Sequence, residues 1–295
     1  MAVLEFKNVA RSFGDTRVLA NLEFAVEEGE VVGLLGRNGA GKTTLINLVM
    51  GMLAPDAGQV RVFGQDPREN PVAVRKRIGY VAEDQELPPF LRVGQVLGLY
   101  RELYPDWDQA AADELVDRFE LPVGRKVSDL SRGQARQVAL LCAVSHRPEL
   151  LILDEPAGGL DPAARRQFLE TSIRLLNETG TTILFSSHHM GDVERMASRL
   201  VMIHETEKWI DSALDDIRDG YCLALVPRDA STTDDLLGME GCLCARDRGP
   251  ALHAVFAAGT EACRMSLARE LGRDDVQCRP LPLEEMFIEL VGRDA

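Results

Sequence analysis

The segment 36–43, with the sequence GRNGAGKT, constrains the fold of this chain more than any other feature. It matches the pattern G-x-x-x-x-G-K-[ST], in which glycines let the backbone curl until several N–H groups point at phosphate oxygens. The apolar run 31–35 precedes it, and an apolar-periodic helix is predicted from Lys42 to about Met50. The order of strand, loop and helix predicts a phosphate-binding site at the carboxyl end of a buried strand.

The side chains of this phosphate loop (36–43) have expected roles. Lys42 is expected to reach the β- and γ-phosphates of a nucleotide, and the Thr43 hydroxyl is expected to ligate Mg²⁺. Thr44 is expected to add a phosphate contact. The predicted nucleotide-binding residues of this region are Gly36, Asn38, Gly39, Gly41, Lys42, Thr43 and Thr44.

A second apolar run, 150–153, ends in two acids, Asp154 and Glu155. An acid at the end of a buried strand needs a compensating partner, and Mg²⁺ is a natural one. We expect Asp154 to hold Mg²⁺ and Glu155 to polarise the attacking water. Taken alone, the two acids would equally suit an ordinary strand-to-loop junction, but the phosphate loop favours the functional interpretation.

The remaining pattern predicts a mainly parallel α/β core. Residues 3–9 and 182–185 read as further strands, and helical patterns occupy residues 133–146 and 162–177. Strands that alternate with helices are typical of a parallel sheet whose phosphate site lies at the carboxyl ends of the strands.

The segment 130–134, with the sequence LSRGQ, precedes one of these helices. Ser131 and Gly133 at a helix start would suit a second anion-binding site, but serine is also an ordinary helix cap. The sequence by itself does not separate these two alternatives.

As a set, residues from about 3 to 211 resemble the nucleotide-binding domain of ABC ATPases. Segments 36–43 and 150–155 correspond to its Walker A and Walker B motifs, and 130–134 stands where the family has its L-S-G-G-Q signature. The segment 157–161 takes the place of the loop written S-G-L-D, and His188 that of the switch histidine. Phe13 falls where the family keeps an aromatic residue against adenine.

This resemblance implies a P-loop NTPase fold of the ABC type, with an ATP-binding domain at residues 1–212 and a helical subdomain at about 85–148. It implies ATP and Mg²⁺ as cofactors and a head-to-tail pair of ATPase subunits, expected to be a homodimer, that encloses two ATP molecules. The catalytic residues would be Glu155 and His188, which acts on the γ-phosphate of its own subunit. The signature residues acting on the opposing ATP would be Ser131, Gly133 and Gln134.

Three positions depart from the family pattern. Arg132 replaces the first glycine of the signature, where it would either face phosphate or the membrane subunit, or be a solvated side chain. His189 follows His188 and is expected at the surface. Glu83 stands where a glutamine normally touches Mg²⁺ and water, so we expect either a metal contact at Glu83 or a solvent-facing side chain, with Gln85 as the alternative contact.

Residues 213–295 form a predicted small accessory domain. The pattern reads strand, helix, strand, strand, helix, strand between residues 221 and 279, which is the order of a ferredoxin-like α/β unit. A last helix is predicted at residues 283–291. Cys242 and Cys244 are expected to lie on one face of a strand as ordinary side chains rather than as a metal or redox site.

The bulk composition sets limits on partners. The formal net charge is −14, and no run of Lys and Arg suggests a basic face, which argues against a nucleic-acid partner. No apolar stretch approaches the ~18–20 residues of a spanning helix. Together with this, the resemblance to ABC ATPases implies a protein at the cytoplasmic face of the membrane whose transmembrane permease is a separate polypeptide.

The favoured function is ATP hydrolysis coupled to transport, in particular export. The segment 91–107 and the ending 281–290 look like the single-domain ATPases of bacterial exporters. Two alternatives remain open at this point: an ABC ATPase that acts as a mechanical or regulatory switch without transport, and a degenerate nucleotide-binding scaffold. The intact Lys42, Asp154, Glu155 and His188 argue against the scaffold.

Overall fold

The computed structural model describes residues 1–84, 86–273 and 275–291. The chain separates into two compact units, Met1–Asp211 and Ser212–Ala295. No helix within the described ranges has both the length and the apolar character that crossing a bilayer requires.

The strands and helices of the first unit alternate along most of its length. Its strands are β1 (Ala2–Phe13), β2 (Thr16–Glu27), β3 (Val31–Leu35), β4 (Ala57–Val62), β5 (Ile78–Val81), β6 (Leu150–Leu153), β7 (Thr182–Ser187), β8 (Arg199–His204) and β9 (Glu207–Ala213). Its helices are α1 (Lys42–Val49), α2 (Pro71–Lys76), α3 (Val93–Leu103), α4 (Gln109–Arg118), α5 (Arg132–Val144), α6 (Pro162–Thr179) and α7 (Met190–Met196), with a 3₁₀ turn at Val127–Asp129.

The predicted parallel core is confirmed. The central sheet has the strand order β5-β6-β7-β3-β8-β9, and the neighbours from β5 to β8 run parallel. All residues of β6 and β7 are buried, as expected of strands covered on both faces. Because parallel strands end at the same edge, the segments that follow β3, β5, β6 and β7 meet there.

A second sheet, with the order β2-β1-β4, is antiparallel and was only partly predicted. The sequence indicated a strand at residues 3–9, whereas β1 extends to Phe13 and pairs with β2, which the pattern did not reveal. Register shifts interrupt the β1–β2 pairing, and such shifts break the alternation that identifies a strand. Phe6 and Phe24 stack across this pair with their centroids 4.5 Å apart.

Between β5 and β6 the first unit is helical. Helices α3, α4 and α5 occupy this stretch, in which the helical subdomain was expected. Helix α5 also packs against β5, so it connects this helical region to the edge of the central sheet.

The second unit contains α8 (Leu214–Gly220), β10 (Cys222–Pro227), α9 (Thr233–Leu237), β11 (Cys242–Asp247), β12 (Ala251–Phe256), α10 (Thr260–Leu271), β13 (Gln277–Pro280) and α11 (Leu283–Val291). From β10 to β13 the predicted order of strands and helices is confirmed. The sheet order is β11-β12-β10-β13, with antiparallel neighbours throughout.

The expectation that Cys242 and Cys244 share one face of β11 is wrong. The register of β11 against β12 shifts between them, so Cys242 pairs with Phe256 and Cys244 pairs with Val255. Cys242 packs against the core that includes Phe256, whereas the Cys244 thiol donates to the Glu289 carbonyl of α11, 3.3 Å away. A bulge cancels the two-residue period on which the expectation depended.

Candidate functional site

The phosphate loop has a shape that requires its glycines. Gly41, the residue before α1, has a φ of 98°, and a Cβ built there would lie 2.7 Å from Leu19 Cδ2. A Cβ built on Gly36 would lie 2.8 Å from the Ile203 carbonyl oxygen. Neither position leaves room for a side chain, so the loop backbone can approach a ligand only with glycine here.

The start of α1 is open to a ligand. Gly41 provides no capping side chain, so the N–H groups of the first helical turn receive no side-chain acceptor there. Thr43, Asn38 and Gly39 are exposed, and Thr44 is half-buried. A helix amino terminus of this kind attracts anions through its free donors and its dipole.

Lys42 lies beneath this loop and is 6% exposed. Its Nζ donates to the carbonyl oxygens of Gly36, at 2.7 Å, and Arg37, at 3.2 Å. It also lies 3.2 Å from Glu155 Oε1, which follows β6. The lysine therefore links the phosphate loop to the acids predicted from the sequence.

Asp154 and Glu155 share a hydroxyl from the neighbouring strand. Ser186 on β7 donates through Oγ to Asp154 Oδ1, at 2.6 Å, and accepts from the Glu155 backbone N–H, at 2.8 Å. Asp154 and Ser186 are 1% and 0% exposed. The Asp154 N–H donates to the Val81 carbonyl of β5 at 2.8 Å, so the residue is bonded to both neighbouring strands, to β5 through its backbone and to β7 through its carboxylate.

Glu155 occupies a constrained position. Its φ is 44°, in the left-handed region that residues with a side chain seldom adopt, and such strain often accompanies functional sites. Its Oε2 lies 2.8 Å from His188 Nδ1. Its Oε1 is buried and forms no hydrogen bond within the described part of the chain, although Lys42 is close enough for an ion pair.

His188 and His189 follow β7, and their rings lie 4.0 Å apart. The His188 side chain is 35% exposed and contacts Glu155. His189 precedes α7 and is exposed, as expected from the sequence, and its N–H donates to Ser187 Oγ at 3.0 Å. Burial lowers the pKa of His189, and His188 and Arg165 lower it further. Of the two rings, His188 is the one hydrogen-bonded to the acid.

The signature segment (130–134) forms the start of α5. Ser131 Oγ accepts from the Gln134 N–H at 3.2 Å, and Gln134 Oε1 accepts from the Ser131 N–H at 3.1 Å. This reciprocal cap leaves the Ser131 hydroxyl proton available to donate. A Cβ built on Gly133 would lie 3.4 Å from Ala164 Cβ, so the segment lies against the start of α6.

Arg132 is exposed and extends along the loop 157–161. Its Nη1 lies 3.6 Å from where a Cβ on Gly159 would be. Within the same loop, Asp161 Oδ1 accepts from the Ala164 N–H at 3.0 Å and so caps the first turn of α6. Arg132 therefore occupies a surface position beside the 157–161 loop, which corresponds to the solvated alternative.

Glu83 follows β5 and is exposed, yet the negative charges of Asp154 and Glu155 act on its carboxyl group. Partial desolvation raises its pKa, and the carboxylates of Glu155 and Asp154 raise it further. The positive charge of Lys42 lowers the pKa of Glu83. The alternative contact, Gln85, lies outside the described residues.

Phe13 ends β1 with its ring 47% exposed. The guanidinium carbon of Arg11 lies 4.9 Å from the centroid of this ring. An exposed aromatic face of this kind is suited to stacking on a planar base.

Comparison with known proteins identifies the family. Residues 19–158 match the protein family described as ABC transporter. The chain is 34% identical to the Nod factor export ATP-binding protein I of Burkholderia lata, over 100% of this chain and 98% of that protein. The chain belongs to the ATP-binding subunits of ABC transporters.

Two further comparisons agree with this ABC transporter assignment. The daunorubicin resistance ATP-binding protein DrrA3 of Streptomyces coeruleorubidus is 33% identical, over 96% of this chain and 94% of that protein. A solved ATP-binding subunit of an ABC transporter matches with a TM-score of 0.66 and 30% identity, over 73% of this chain and 92% of that chain. As a member of this family, the chain binds and hydrolyses ATP.

Some residues of this ABC subunit's site were not predicted as functional. Ser186 was not predicted as a site residue, and the one available signal was that it is a polar residue at the end of an apolar strand. Arg136 on α5 contacts the backbone after β5. Arg165 and Asp192 form an ion pair between α6 and α7, with Nε and Oδ1 2.9 Å apart. Helix periodicity alone does not reveal such pairings.

The side chains that could ligate a metal here suit the Mg²⁺ ion of a bound nucleotide. Within the described ranges, no group of three or more His, Cys, Asp or Glu side chains is arranged to hold a metal ion. Mg²⁺ commonly takes only one or two protein ligands and completes its shell with water and phosphate oxygens. Asp154 and Thr43 fit that requirement.

Proposed function

We propose that this ABC subunit hydrolyses MgATP to drive export through a separate membrane-spanning subunit, at the cytoplasmic face of the membrane. The export assignment is supported by the names of the relatives, which include a Nod factor exporter and a daunorubicin resistance protein. The hydrolytic assignment is supported chiefly by the Lys42–Glu155–His188 chain of contacts at the end of the central sheet.

In this proposal the phosphate loop binds the nucleotide, with Phe13 stacked on adenine. The free N–H groups at the start of α1 and the Lys42 ammonium hold the phosphates. Thr43 and Asp154 would hold Mg²⁺, which supplies charge neutralisation of the phosphate oxygens when bound. Glu83 is proposed as a further contributor to that metal site.

Glu155 is proposed to orient and polarise the attacking water with its carboxylate. One oxygen of this carboxylate is held by His188, so the carboxylate cannot rotate freely. Ser186 fixes the Glu155 backbone, and Lys42 balances the carboxylate charge. His188 is proposed to donate to a γ-phosphate oxygen as negative charge shifts during cleavage.

The signature segment is proposed to act on ATP bound by a partner ATPase, expected to be a second copy of this chain. Its support in this structure is the capped start of α5, at which Ser131 is exposed and Gly133 is half-buried. Hydrolysis would then separate the two subunits, and the attached membrane subunits would move with them.

Replacement of Glu155 by Gln tests the proposal. The variant should bind ATP, lose almost all turnover and accumulate as an ATP-bound dimer, because the amide cannot serve as a base. Size-exclusion chromatography with and without MgATP, together with a phosphate-release assay, provides the measurement. Rapid turnover by the variant would remove Glu155 from the proposed role.

The coupling to export needs a second measurement. The chain should be co-expressed with a candidate membrane-spanning subunit and purified in detergent or lipid. We expect the two to copurify and the membrane subunit to change the ATPase rate. A chain whose ATPase rate is unchanged, and which does not copurify, would favour the non-transport alternative.

A further inference from the structure

One side chain joins the helix of the signature segment to the backbone that carries Glu83. Arg136 lies on α5, five positions after the capping residue Ser131. Its Nη1 donates to the Ala82 carbonyl and its Nη2 donates to the Glu83 carbonyl. Both acceptors belong to the segment 82–84, which follows β5. The planar fork of a guanidinium can hold two consecutive carbonyls at once, which a lysine ammonium does less well.

The acceptor segment is in turn fixed to the proposed catalytic acids. Val81, the last residue of β5, pairs with Leu153 of β6, and its carbonyl accepts the N–H of Asp154 at 2.8 Å. A shift of Ala82 and Glu83 is therefore transmitted over a single peptide unit to the residue that anchors Asp154.

The environment of Arg136 fits a fixed side chain. The residue is half-buried. Desolvation lowers its pKa, whereas Asp84, Glu83 and Asp154 raise it. Truncation of a partly desolvated arginine that holds two carbonyls costs more free energy than truncation of an exposed one, because the two carbonyl acceptors are left unpaired.

The helix that carries Arg136 is also fixed at its start. Helix α5 is continuous from Arg132 to Val144, and the Ser131–Gln134 cap fixes its start. A continuous capped helix moves as one body. The signature segment and the segment 82–84 therefore have a direct connection through Arg136.

We infer that Arg136 is a positioning residue that holds the segment 82–84 and the signature segment in one fixed arrangement, and so couples the two ATP sites of the dimer. This inference rests on the proposed function, in which segment 82–84 serves the ATP of its own subunit and the signature segment serves the ATP of the partner. Arg136 is inferred to act only through the backbone carbonyls that it holds.

Arg136→Gln, Arg136→Lys and a matched control, Arg75→Gln, test the inference. Arg75 also lies on a helix, α2, and donates through Nε to a distant backbone carbonyl, that of Met50, at 2.9 Å. Four quantities are measured on the full chain: kcat, KM for ATP, the Hill coefficient for ATP, and amide hydrogen exchange in segment 82–84.

For Arg136→Gln we expect kcat to fall about tenfold to a hundredfold, the range expected when hydrogen bonds to a charged group are lost. KM should change by less than about threefold, because the phosphate loop is untouched. The Hill coefficient should fall towards one, and exchange in segment 82–84 should rise. Arg136→Lys should recover part of kcat, and Arg75→Gln should leave all four quantities unchanged.

Wild-type kcat and cooperativity in a folded Arg136→Gln variant would overturn the inference, as would an equal fall in Arg75→Gln. If Arg136→Gln does not fold, unchanged exchange in segment 82–84 of Arg136→Lys would overturn it. A wild-type chain that hydrolyses no ATP contradicts the proposed function instead. The exchange measurement still decides the role of Arg136 in that case.

Discussion

Replacement of Ser186 by Ala should destabilise the first unit strongly, because this hydroxyl serves two buried groups at once. Its donation to Asp154 Oδ1, at 2.6 Å, is a hydrogen bond to a carboxylate, and the loss of such a bond costs about 1.5–3 kcal/mol. The hydroxyl also accepts from the Glu155 N–H at 2.8 Å. Its removal would leave this buried donor unpaired, which costs about 1–3 kcal/mol. The free energy of unfolding should therefore fall by about 3–5 kcal/mol.

A matched control separates this effect from the loss of any buried serine hydroxyl. Ser172 is 1% exposed, and its Oγ donates at 2.8 Å to the Phe168 carbonyl, one turn earlier on α6. That carbonyl already belongs to a helical ladder, so Ser172→Ala should cost less than about 1 kcal/mol. The two variants remove the same atom from equally buried sites.

The assay is thermal and urea unfolding of both variants, in which the unfolding transition of the first unit is measured. For a unit of this size, about 2–4 °C of Tm corresponds to 1 kcal/mol, so Ser186→Ala should lower Tm by about 6–20 °C. The ATPase rate should also fall about tenfold or more, because Glu155 loses its backbone support. If the two variants differ by less than about 1 kcal/mol, the reasoning about Ser186 is refuted.

Three further predictions follow from the site. Glu83→Gln should change the Mg²⁺ concentration needed for half-maximal ATPase activity, because it removes a charge close to Asp154 and Glu155; an unchanged Mg²⁺ dependence with intact activity would exclude Glu83 from the metal site. Phe13→Ala should weaken ATP binding by about 1–3 kcal/mol, the usual contribution of base stacking, as measured by calorimetry, with Phe90→Ala, another exposed phenylalanine, as the control. Truncation after Ala213, the last residue of β9, should leave ATP affinity unchanged in a folded product; loss of ATP binding by a well-folded truncate would show that the second unit contributes to the site.

Much of the site could be predicted because its residues follow fixed local patterns. The phosphate loop needs glycine where a Cβ would strike Leu19 or the Ile203 carbonyl, and that requirement is visible in the sequence as a spacing. Asp154 and Glu155 end a continuous apolar run, and such runs predicted β6 and the parallel sheet. The order of elements from β10 to β13 in the second unit also followed from local periodicity.

Other features could not be predicted because they depend on which strands and helices become neighbours. The β1–β2 pairing was hidden by its register shifts, and the bulge at Cys242 and Cys244 placed the two thiols in different surroundings. Neither feature changes the composition of the segment in which it occurs, so no local pattern reports it.

The sequence by itself determined the family, the phosphate loop, and the acids and histidine at the ends of β6 and β7. Each of these depends on residues close together in the chain. Only the tertiary structure decided that Ser186 connects the two acids and that Arg136 connects α5 to the backbone after β5. Those contacts join residues more than thirty positions apart, and their geometry exists only once the strands and helices have packed.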